Sequence, residues 1–237
     1  MMKQCLNDLE GDCMIKVMIF DLDDTLYNER KFVEGAFTEV CDYLAQKYEL
    51  DSHSLYEDAI NILDKNGRGK IFDLLCLKYE INHDIKHLVD IYRQAKPRLK
   101  LYKDCQEIIK RYKNRYKFAI ITDGKASIQW NKIKMLNIEK DFEKIIVTDD
   151  FGREYWKPNK FAFEEIVRYF NVKANECVYI GDNPNKDFIG PKHIGMHTIR
   201  IVRKNGDYMK MIVNKHIDAD YKILNFNEVY NIINEIN

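Results

Sequence analysis

Residues 15–20, IKVMIF, run directly into residues 21–25, DLDDT. A short apolar run rich in β-branched side chains is typical of a buried strand. The abrupt change to acidic and hydroxyl side chains indicates a polar loop where that strand ends. Residues 1–14 show no clear pattern and are predicted to form a poorly ordered N-terminal extension.

From residue 98 onward, short apolar runs alternate with segments of helical periodicity. The predicted strands are 118–122, 144–148, 177–181, 197–202 and a short one at 221–223. The predicted helices are 103–114, 127–136, one that has Pro158 in its first turn and runs to about residue 170, 187–194 and 227–235. This alternation predicts a doubly wound, Rossmann-like parallel sheet with helices on both faces, formed by residues 15–26 and 98–237.

Residues 27–97 interrupt this pattern, because they lack a strand signal and repeat apolar side chains at helical spacing. We predict an all-helical domain inserted after the first strand. Residues 66–70, NGRGK, form a break between two of its helices. The two cations of this break, Arg68 and Lys70, either lie in a solvated turn or reach a substrate oxygen.

The composition excludes several classes of protein. Apolar residues make up 46% of the chain and charged residues 32%, which argues against disorder. The 38 basic and 38 acidic residues give zero formal net charge, so we expect neither nucleic acid nor a membrane surface as a partner. No apolar segment has the length of a membrane span or the character of a signal peptide, which predicts a cytoplasmic protein. The six cysteines form no CxxC pair and are predicted to be reduced thiols. Composition does not indicate the oligomeric state.

Polar side chains follow several predicted strands, at the edge where parallel strands end and ligands bind. They are Asp21 and Asp23 after the first strand, Thr122, Asp123 and Gly124 after the second, Lys157 in the loop before a helix, and Gly181, Asp182, Asn183 and Asp187 after the strand at 177–181. Several carboxylates at one point repel one another unless a hard cation lies among them. Mg²⁺ prefers oxygen ligands together with substrate phosphate. Lys157, Thr122 and backbone amides can bind the phosphoryl oxygens, so the set is typical of phosphoryl transfer.

These segments resemble the motifs of the haloacid dehalogenase-like superfamily. DLDDT at 21–25 resembles its first motif, and IITDG at 120–124 resembles the second, an apolar strand that ends in Thr or Ser. WKPNKFAF at 156–163 resembles the third, a Lys-Pro that opens a helix. YIGDNPNKDFIGPKHIGMHTI at 179–199 is similar to the fourth, a Gly-Asp with a second Asp five residues later. Each motif alone is weak, but all four occur in the expected order.

The resemblance implies a role for each acidic residue. Asp21 would be the nucleophile and a ligand of Mg²⁺. Asp23 would be the general acid and base, with its backbone carbonyl on the metal. Asp182 would be a further metal ligand. Asp187 would orient Lys157 or a metal-bound water, or it would be a plain helix cap.

The resemblance also implies the phosphate-binding residues. Thr122 would bind phosphoryl oxygens with help from the backbone amide of Asp123, and Lys157 would neutralise charge between the nucleophile and the phosphate. The side chain of Asp123 departs from the Asn or Gly common at that position, and no role is predicted for it.

The helical insert resembles a cap of the C1 type, which in this superfamily closes over the site and decides the substrate. The resemblance implies a phosphatase for a small phosphorylated metabolite, such as a sugar phosphate, phosphoglycolate or a nucleoside monophosphate. A phosphomutase shares every core residue named above and stays an alternative. A dehalogenase is disfavoured by the presence of Asp23, and a non-catalytic phosphoacceptor by the insert and by the early position of the acidic motif.

Overall fold

The computed structural model of the protein describes residues 14–237, which form two compact units. The first consists of residues 14–28, 100–129 and 137–237, and the second of residues 29–99 and 130–136. The predicted core and insert have boundaries close to these. The segment 130–136, which the sequence assigned to the core, clusters with the insert instead. The predicted N-terminal extension lies outside the described residues, except for Met14.

The first unit is built on a parallel sheet, which confirms the predicted doubly wound fold. Its strands are β1 (Val17–Phe20), β2 (Lys117–Thr122), β3 (Lys144–Val147), β4 (Cys177–Gly181), β5 (His197–Ile201) and β6 (Tyr221–Ile223). Their order in the sheet is β3-β2-β1-β4-β5-β6, and every pair is parallel. The chain therefore builds outward from β1 in one direction, then crosses to β4 and builds outward in the other. Ligand sites of such sheets lie where the direction reverses.

Strand register brings the polar loops together. Phe20, the last residue of β1, is paired with Ile120 on one side and with Ile180 on the other. The Asp21 amide continues the ladder by donating to the Ile180 carbonyl at 2.9 Å. The residues that follow β1, β2 and β4 consequently emerge at one edge of the sheet.

Buried side chains on both faces of the sheet hold this unit together. Val17, Ile19 and Tyr179 pack with Phe163 and Phe188 in one cluster and are fully buried. The helices of the unit are α5 (Lys103–Tyr112), α6 (Ala126–Leu136, of which 130–136 cluster with the second unit), α7 (Phe161–Phe170), α8 (Ile189–His193) and α9 (Val229–Ile236). Strands buried on both faces explain the near-continuous apolar runs in the sequence.

The helix predicted to have Pro158 in its first turn begins later than expected. α7 begins at Phe161, and the Lys157–Pro158 peptide is cis. The Asn159 side chain accepts a hydrogen bond from the Phe161 amide at 2.9 Å, so a side chain satisfies the start of the helix. Lys157 and Pro158 therefore belong to the loop, where the Lys157 amide has a different acceptor.

The second unit is helical, as predicted. It contains α1 (Glu29–Tyr48), α2 (Ser52–Asn66), α3 (Ile71–Lys78) and α4 (Ile85–Gln94), packed around a core that includes Phe37, Leu44, Leu55 and Leu75. Asp51 and Asp84 accept amide hydrogen bonds at the starts of α2 and α4. Such caps fix where the two helices begin.

The structure tests the predictions of a cytoplasmic protein and of reduced cysteines only in part. Among the described residues, no helix is long and apolar enough to cross a membrane. Four of the cysteines, Cys41, Cys76, Cys105 and Cys177, are free and buried. Cys5 and Cys13 lie outside the described residues, and the cytoplasmic location stays a prediction.

A partly buried ion cluster lies within the second unit. The Glu29 carboxylate contacts Lys132 Nζ at 3.1 Å and the Arg68 guanidinium at 2.6 Å. The Lys132 side chain is only 3% exposed, and its ammonium lies 5.0 Å from the centre of the Phe32 ring. Burial raises the pKa of Glu29, but Lys132 and Arg68 outweigh this effect and lower the pKa to about 2. The Glu29–Lys132 pair ties residues 130–136 to α1, a link that the sequence pattern did not indicate.

We expect Glu29→Gln to lower the free energy of unfolding by about 2–4 kcal/mol at neutral pH, because it removes the charge that balances the buried Lys132. Glu29→Gln combined with Lys132→Met should recover part of that loss. The matched control is Asp64→Asn, which breaks the exposed Arg30–Asp64 pair of the same unit and should cost less than about 1 kcal/mol. Chemical denaturation measures all three variants.

The effect of Glu29→Gln should also depend on pH. A carboxyl group with a lowered pKa stabilises the fold above its ordinary pKa of 4.5, and this contribution disappears as the pH falls towards about 2. The difference between the native protein and the variant should shrink over that range. Equal losses for Glu29→Gln and Asp64→Asn would contradict a partly buried, charge-balanced cluster.

Candidate active site

Three carboxylates converge at the sheet edge. Asp21 follows β1, whereas Asp182 and Asp187 follow β4, and one ligand oxygen from each lies within 4.8 Å of the others. The three residues are at most 4% exposed. Buried carboxylates this close repel one another strongly, so the cluster requires positive charge nearby.

Lys157 supplies part of that charge from the loop before α7. Its ammonium donates to Asp21 Oδ1 at 2.5 Å and to the Tyr179 hydroxyl at 2.9 Å, and it contacts Asp187 Oδ1 at 2.8 Å. The Lys157 side chain is fully buried. Two of the three N–H groups of the ammonium are therefore used in hydrogen bonds, and Asp187 adds an ion pair. Lys157 is thereby fixed against Asp21, the residue predicted to be the nucleophile.

The pKa values reflect this imbalance of charge. Burial raises the pKa of Asp21 to about 7, with Lys157 acting in the opposite direction. Burial and the neighbouring Asp187 and Asp21 hold the pKa of Asp182 well above its ordinary value. Burial lowers the pKa of Lys157, but Asp187 and Asp21 outweigh it and raise that pKa well above its ordinary value. One lysine is therefore insufficient for three carboxylates.

Asp187 orients its neighbours and does not cap a helix. Its Oδ2 accepts hydrogen bonds from the backbone amides of Asp182 at 3.1 Å and Asn183 at 2.8 Å. A Cβ atom at Gly181 would lie 2.5 Å from that same Oδ2. Glycine therefore precedes Asp182 because the Asp187 carboxylate occupies the space of a side chain. The helix-cap interpretation of Asp187 is wrong, since its acceptors point back towards β4, whereas α8 begins at Ile189.

Asp23 points to a different set of partners. Its Oδ1 accepts a hydrogen bond from the Tyr27 hydroxyl at 2.6 Å, and its Oδ2 accepts one from the Gln129 amide at 2.9 Å. The same Gln129 amide donates to Thr122 Oγ1 at 2.6 Å. Thr122 thus has an acceptor position filled while its hydroxyl proton is still available to a ligand. Gln129 fixes Asp23 and Thr122 relative to each other.

Asp123, whose side chain had no predicted role, lies between two lysines. Its Oδ1 accepts the Thr148 hydroxyl at 2.8 Å and the Lys157 backbone amide at 3.1 Å. Its Oδ2 lies 3.2 Å from Lys186 Nζ, an ion pair without hydrogen-bond geometry. Burial raises the pKa of Asp123, but Lys157 and Lys186 outweigh it and lower that pKa. Asp123 is therefore a charged group that holds the loop containing Lys157.

The carboxylate cluster has the chemistry of a site for a divalent cation. Hard cations bind carboxylate oxygens, and a second positive centre would relieve the repulsion that raises the pKa values of Asp21 and Asp182. Among the described residues, no hydrogen bond or ion pair engages the Asp182 carboxylate, whereas both oxygens of Asp187 are engaged. Asp21 and Asp182 are accordingly the better placed ligands, and Asp187 holds the loop.

The two candidate substrate residues of the insert lie in the second unit. Arg68 is half exposed and pairs with Glu29, as described above. Lys70 immediately precedes α3, and its side chain makes no capping hydrogen bond there. The structure thus gives Arg68 a defined partner in its own unit, and it leaves the substrate role of both residues a prediction.

Two residues of the site were missed by the sequence analysis. Tyr179 is an interior residue of β4, where an aromatic side chain is indistinguishable from core, yet its buried hydroxyl contacts Lys157 and Asp187. Gln129 lies in the first turn of α6, where a polar residue ordinarily faces solvent, yet it is 1% exposed. Gln129 lies seven positions after Thr122, a spacing that places it one helical turn beyond the loop at the sheet edge. This spacing alone does not distinguish it from a surface residue.

Comparison with known proteins agrees with this geometry. Residues 18–201 match the family described as haloacid dehalogenase-like hydrolase. A protein of Methanocaldococcus jannaschii named glyceraldehyde 3-phosphate phosphatase is 32% identical over 94% of this chain and 99% of its own length. A protein of Methanopyrus kandleri with the same name is 30% identical over 94% of this chain and 99% of its own length.

Solved structures show the same fold at lower identity. The HAD-hydrolase YfnB of Bacillus subtilis has a TM-score of 0.68 and 18% identity, covering 93% of this chain and 99% of its own. A HAD phosphatase of Thermococcus onnurineus has a TM-score of 0.61 and 23% identity, covering 92% of this chain and 98% of its own. The match extends over both the core and the insert.

We expect Asp182→Asn to raise the Tm of EDTA-treated protein at neutral pH. A carboxyl group with a raised pKa costs stability as the pH rises from its ordinary pKa of 3.8 through the raised value, and the amide removes that cost. A gain of about 1 kcal/mol corresponds to about 2–4 °C for a chain of this size. We expect a divalent cation, tested as millimolar Mg²⁺, to stabilise the native protein by about 2.7 kcal/mol at a hundred times its Kd, and the same variant should lose this effect.

The control is Asp141→Asn, which alters a surface pair with Lys113 and should keep the full Mg²⁺ effect. Thermal unfolding with and without Mg²⁺ measures both changes. A native protein insensitive to Mg²⁺, or an Asp182→Asn variant less stable in EDTA, would argue against a cation site at these carboxylates.

Proposed function

The chain belongs to the haloacid dehalogenase-like hydrolase family, and we propose that it is a Mg²⁺-dependent phosphatase that hydrolyses a small phosphomonoester through a phosphorylated Asp21. The observation that carries the proposal is the buried contact of 2.5 Å between Asp21 and Lys157 beside Asp182. A buried carboxylate held by an ammonium can attack phosphorus, and the covalent intermediate divides hydrolysis into two steps.

Asp21 attacks the phosphoryl group and the leaving oxygen departs. Lys157 favours the ionised form of Asp21 and limits the repulsion between its carboxylate and the incoming phosphate. Thr122 donates its hydroxyl proton to a phosphoryl oxygen, because Gln129 already occupies its acceptor position. The backbone amide of Asp123 is a further donor to the phosphate.

Asp23 transfers the protons. In the first step it protonates the leaving oxygen, and in the second it takes a proton from the water that attacks the phosphorylated Asp21. Tyr27 and Gln129 each hold one of its oxygens, which supports this role because a general acid must be oriented towards the reacting atoms.

Asp21 and Asp182, together with the Asp23 backbone carbonyl, would hold the Mg²⁺, and Asp187 would fix the loop that contains Asp182. The ion, when bound, supplies positive charge to the phosphate and to the carboxylates around it. The raised pKa values of Asp21 and Asp182 support this assignment, since both carboxylates need a counter-charge to remain ionised.

A phosphorylated sugar of three carbons is the proposed substrate. Two relatives that match nearly the whole chain are named glyceraldehyde 3-phosphate phosphatases, and a triose phosphate belongs to the sugar phosphates expected from the sequence. The core residues contact only the phosphoryl group, so selectivity for the remainder of the substrate has to come from other side chains. Arg68 and Lys70 remain the proposed contacts in the helical insert, which would act as the cap.

The first test removes the nucleophile and the proton donor in turn. Asp21→Asn should reduce turnover of p-nitrophenyl phosphate to background, because the amide cannot attack. Asp23→Asn should retain some attack on this good leaving group and accumulate phosphoenzyme, since general acid–base help is worth about 10²–10⁴-fold. Phosphate release and mass spectrometry of the quenched protein measure these effects.

The control for this test is Asp141→Asn, which alters a surface pair with Lys113 outside the carboxylate cluster. Near-normal turnover by Asp21→Asn would show that another residue is the nucleophile. Transfer of the phosphoryl group to a second sugar hydroxyl instead of water would identify a phosphomutase.

The second test concerns the cap. Arg68→Ala should lower kcat/KM for glyceraldehyde 3-phosphate by about tenfold or more, the loss expected for one charged hydrogen bond. Turnover of p-nitrophenyl phosphate should change by no more than a few-fold. Lys132 still balances Glu29 in this variant, so the fold should persist.

Arg30→Ala is the matched control, because Arg30 also pairs with an acid of the second unit, Asp64. Equal losses on both substrates would indicate damage to folding instead of a lost contact. No loss on either substrate would indicate that Arg68 lies in a solvated turn without a contact to substrate. Lys70→Ala, measured in the same way, tests the second cation separately.

A further inference from the structure

We propose that Lys186, a residue of the loop after β4, is the second phosphate-binding cation of the site and that Asp123 holds it until phosphate binds. The proposal rests on the proposed phosphatase function. It addresses a shortage of donors, since a phosphomonoester dianion needs several N–H or O–H groups on its non-bridging oxygens.

Lys157 meets this need only in part in its observed position. It donates hydrogen bonds to Asp21 Oδ1 at 2.5 Å and to the Tyr179 hydroxyl at 2.9 Å, and it forms an ion pair with Asp187 Oδ1 at 2.8 Å. Its side chain is fully buried beneath these partners. Two of its three N–H groups are used in these hydrogen bonds, so at most one is left for a phosphoryl oxygen.

Among the described residues, the Lys186 ammonium makes no hydrogen bond, so its N–H groups are available to a ligand. The structure gives its ammonium one ion pair, at 3.2 Å from Asp123 Oδ2, and this pair lacks hydrogen-bond geometry. Its side chain is 31% exposed, whereas that of Asp123 is 4% exposed. The cation can therefore turn towards a ligand from solvent, while its partner is fixed by Thr148 and the Lys157 amide.

The backbone places Lys186 at the site. Asn183, which is 4% exposed, closes the turn by accepting the Lys186 amide at 3.2 Å and the Asp187 amide at 3.0 Å on its carbonyl. Its side chain accepts the Asn185 amide at 3.0 Å. Lys186 is thus held between Asp187, which touches Lys157, and Asp123, which follows Thr122.

The electrostatic environment keeps Lys186 charged. Burial and Lys157 lower its pKa, but Asp21, Asp123 and Asp187 outweigh them and raise it. When phosphate binds, a new anion competes with Asp123 for this ammonium. Because Asp123 keeps its two hydrogen bonds on Oδ1, releasing Lys186 does not release the loop that contains Lys157.

The test compares Lys186→Met with Lys186→Arg and with the control Lys160→Met, whose lysine pairs with Glu164 on the surface. With Mg²⁺ present, calorimetry measures the Kd of inorganic phosphate, and steady-state kinetics measures p-nitrophenyl phosphate hydrolysis. Lys186→Met should raise both Kd and KM about tenfold, with kcat changed by less than about threefold, since the contact serves bound phosphate in all states. Lys186→Arg should recover most of the loss, and Lys160→Met should match the native protein.

A purely structural role for Lys186 would lower the Tm and kcat without this selective loss of phosphate affinity, and it would overturn the proposal. So would a Kd for Lys186→Met within twofold of that for Lys160→Met. The calorimetric result does not depend on turnover. A native protein that binds phosphate through Lys186 but hydrolyses nothing would contradict only the proposed function, and an active enzyme indifferent to Lys186 would contradict only this inference.

The role of Asp123 has its own test. Asp123→Asn keeps an oxygen for Thr148 and the Lys157 amide but removes the charge that competes with phosphate. Phosphate should bind a few-fold more tightly to this variant, and the gain should vanish in the Lys186→Met background. Weaker phosphate binding by Asp123→Asn, whichever residue is at position 186, would show that Asp123 does not act through Lys186.

Discussion

The contact between the Lys157 ammonium and the carboxylates of Asp21 and Asp187 is the interaction on which the rest of the site depends. Three acidic residues are enclosed at the end of a parallel sheet, and without this lysine their charges would oppose one another in a medium that screens poorly. The ammonium satisfies one oxygen each of Asp21 and Asp187. Asp182 is left without such a partner among the described residues, which is why the site has the character of a cation site.

The fold explains how these groups come so close from distant parts of the sequence. β1 lies between β2 and β4, so Asp21 emerges between the loops that contain Thr122 and Asp182. The register of the strands sets the distances between these loops, whatever side chains they contain. The side chains then refine them: Asp187 occupies the space left by Gly181, and Gln129 links Thr122 to Asp23. A strand slip of one residue would destroy every one of these contacts.

The sequence was sufficient for the elements that depend on local pattern. The strands after which Asp21, Thr122 and Asp182 emerge are short apolar runs with acidic or hydroxyl ends, and this pattern is sufficient to predict them as strands of one parallel sheet. The start of α7 was misjudged, because a proline favours a first turn locally, whereas Asn159 satisfies the Phe161 amide and makes the helix begin later.

Contacts between residues that are distant in the sequence could not be predicted from it. Tyr179 has the pattern of a core aromatic residue, and only the hydrogen bond from Lys157 to its hydroxyl makes it part of the candidate site. Lys132 has the pattern of a surface lysine on α6, yet Glu29 makes its burial tolerable. In both cases the partner is more than twenty residues away, so periodicity within one element contains no information about it.

The charge at position 123 illustrates how such distant partners alter a site. A carboxylate directly after Thr122 would oppose an anionic substrate if it stood alone. In this chain it is balanced by Lys186 on Oδ2 and is used as an anchor on Oδ1. The acid and the lysine together add no net charge to the site, but they add a cation that can move. The acid at position 123 departs from the family pattern, and its effect can be understood only together with Lys186 of another loop. We interpret the two residues as one feature of the proposed phosphate site.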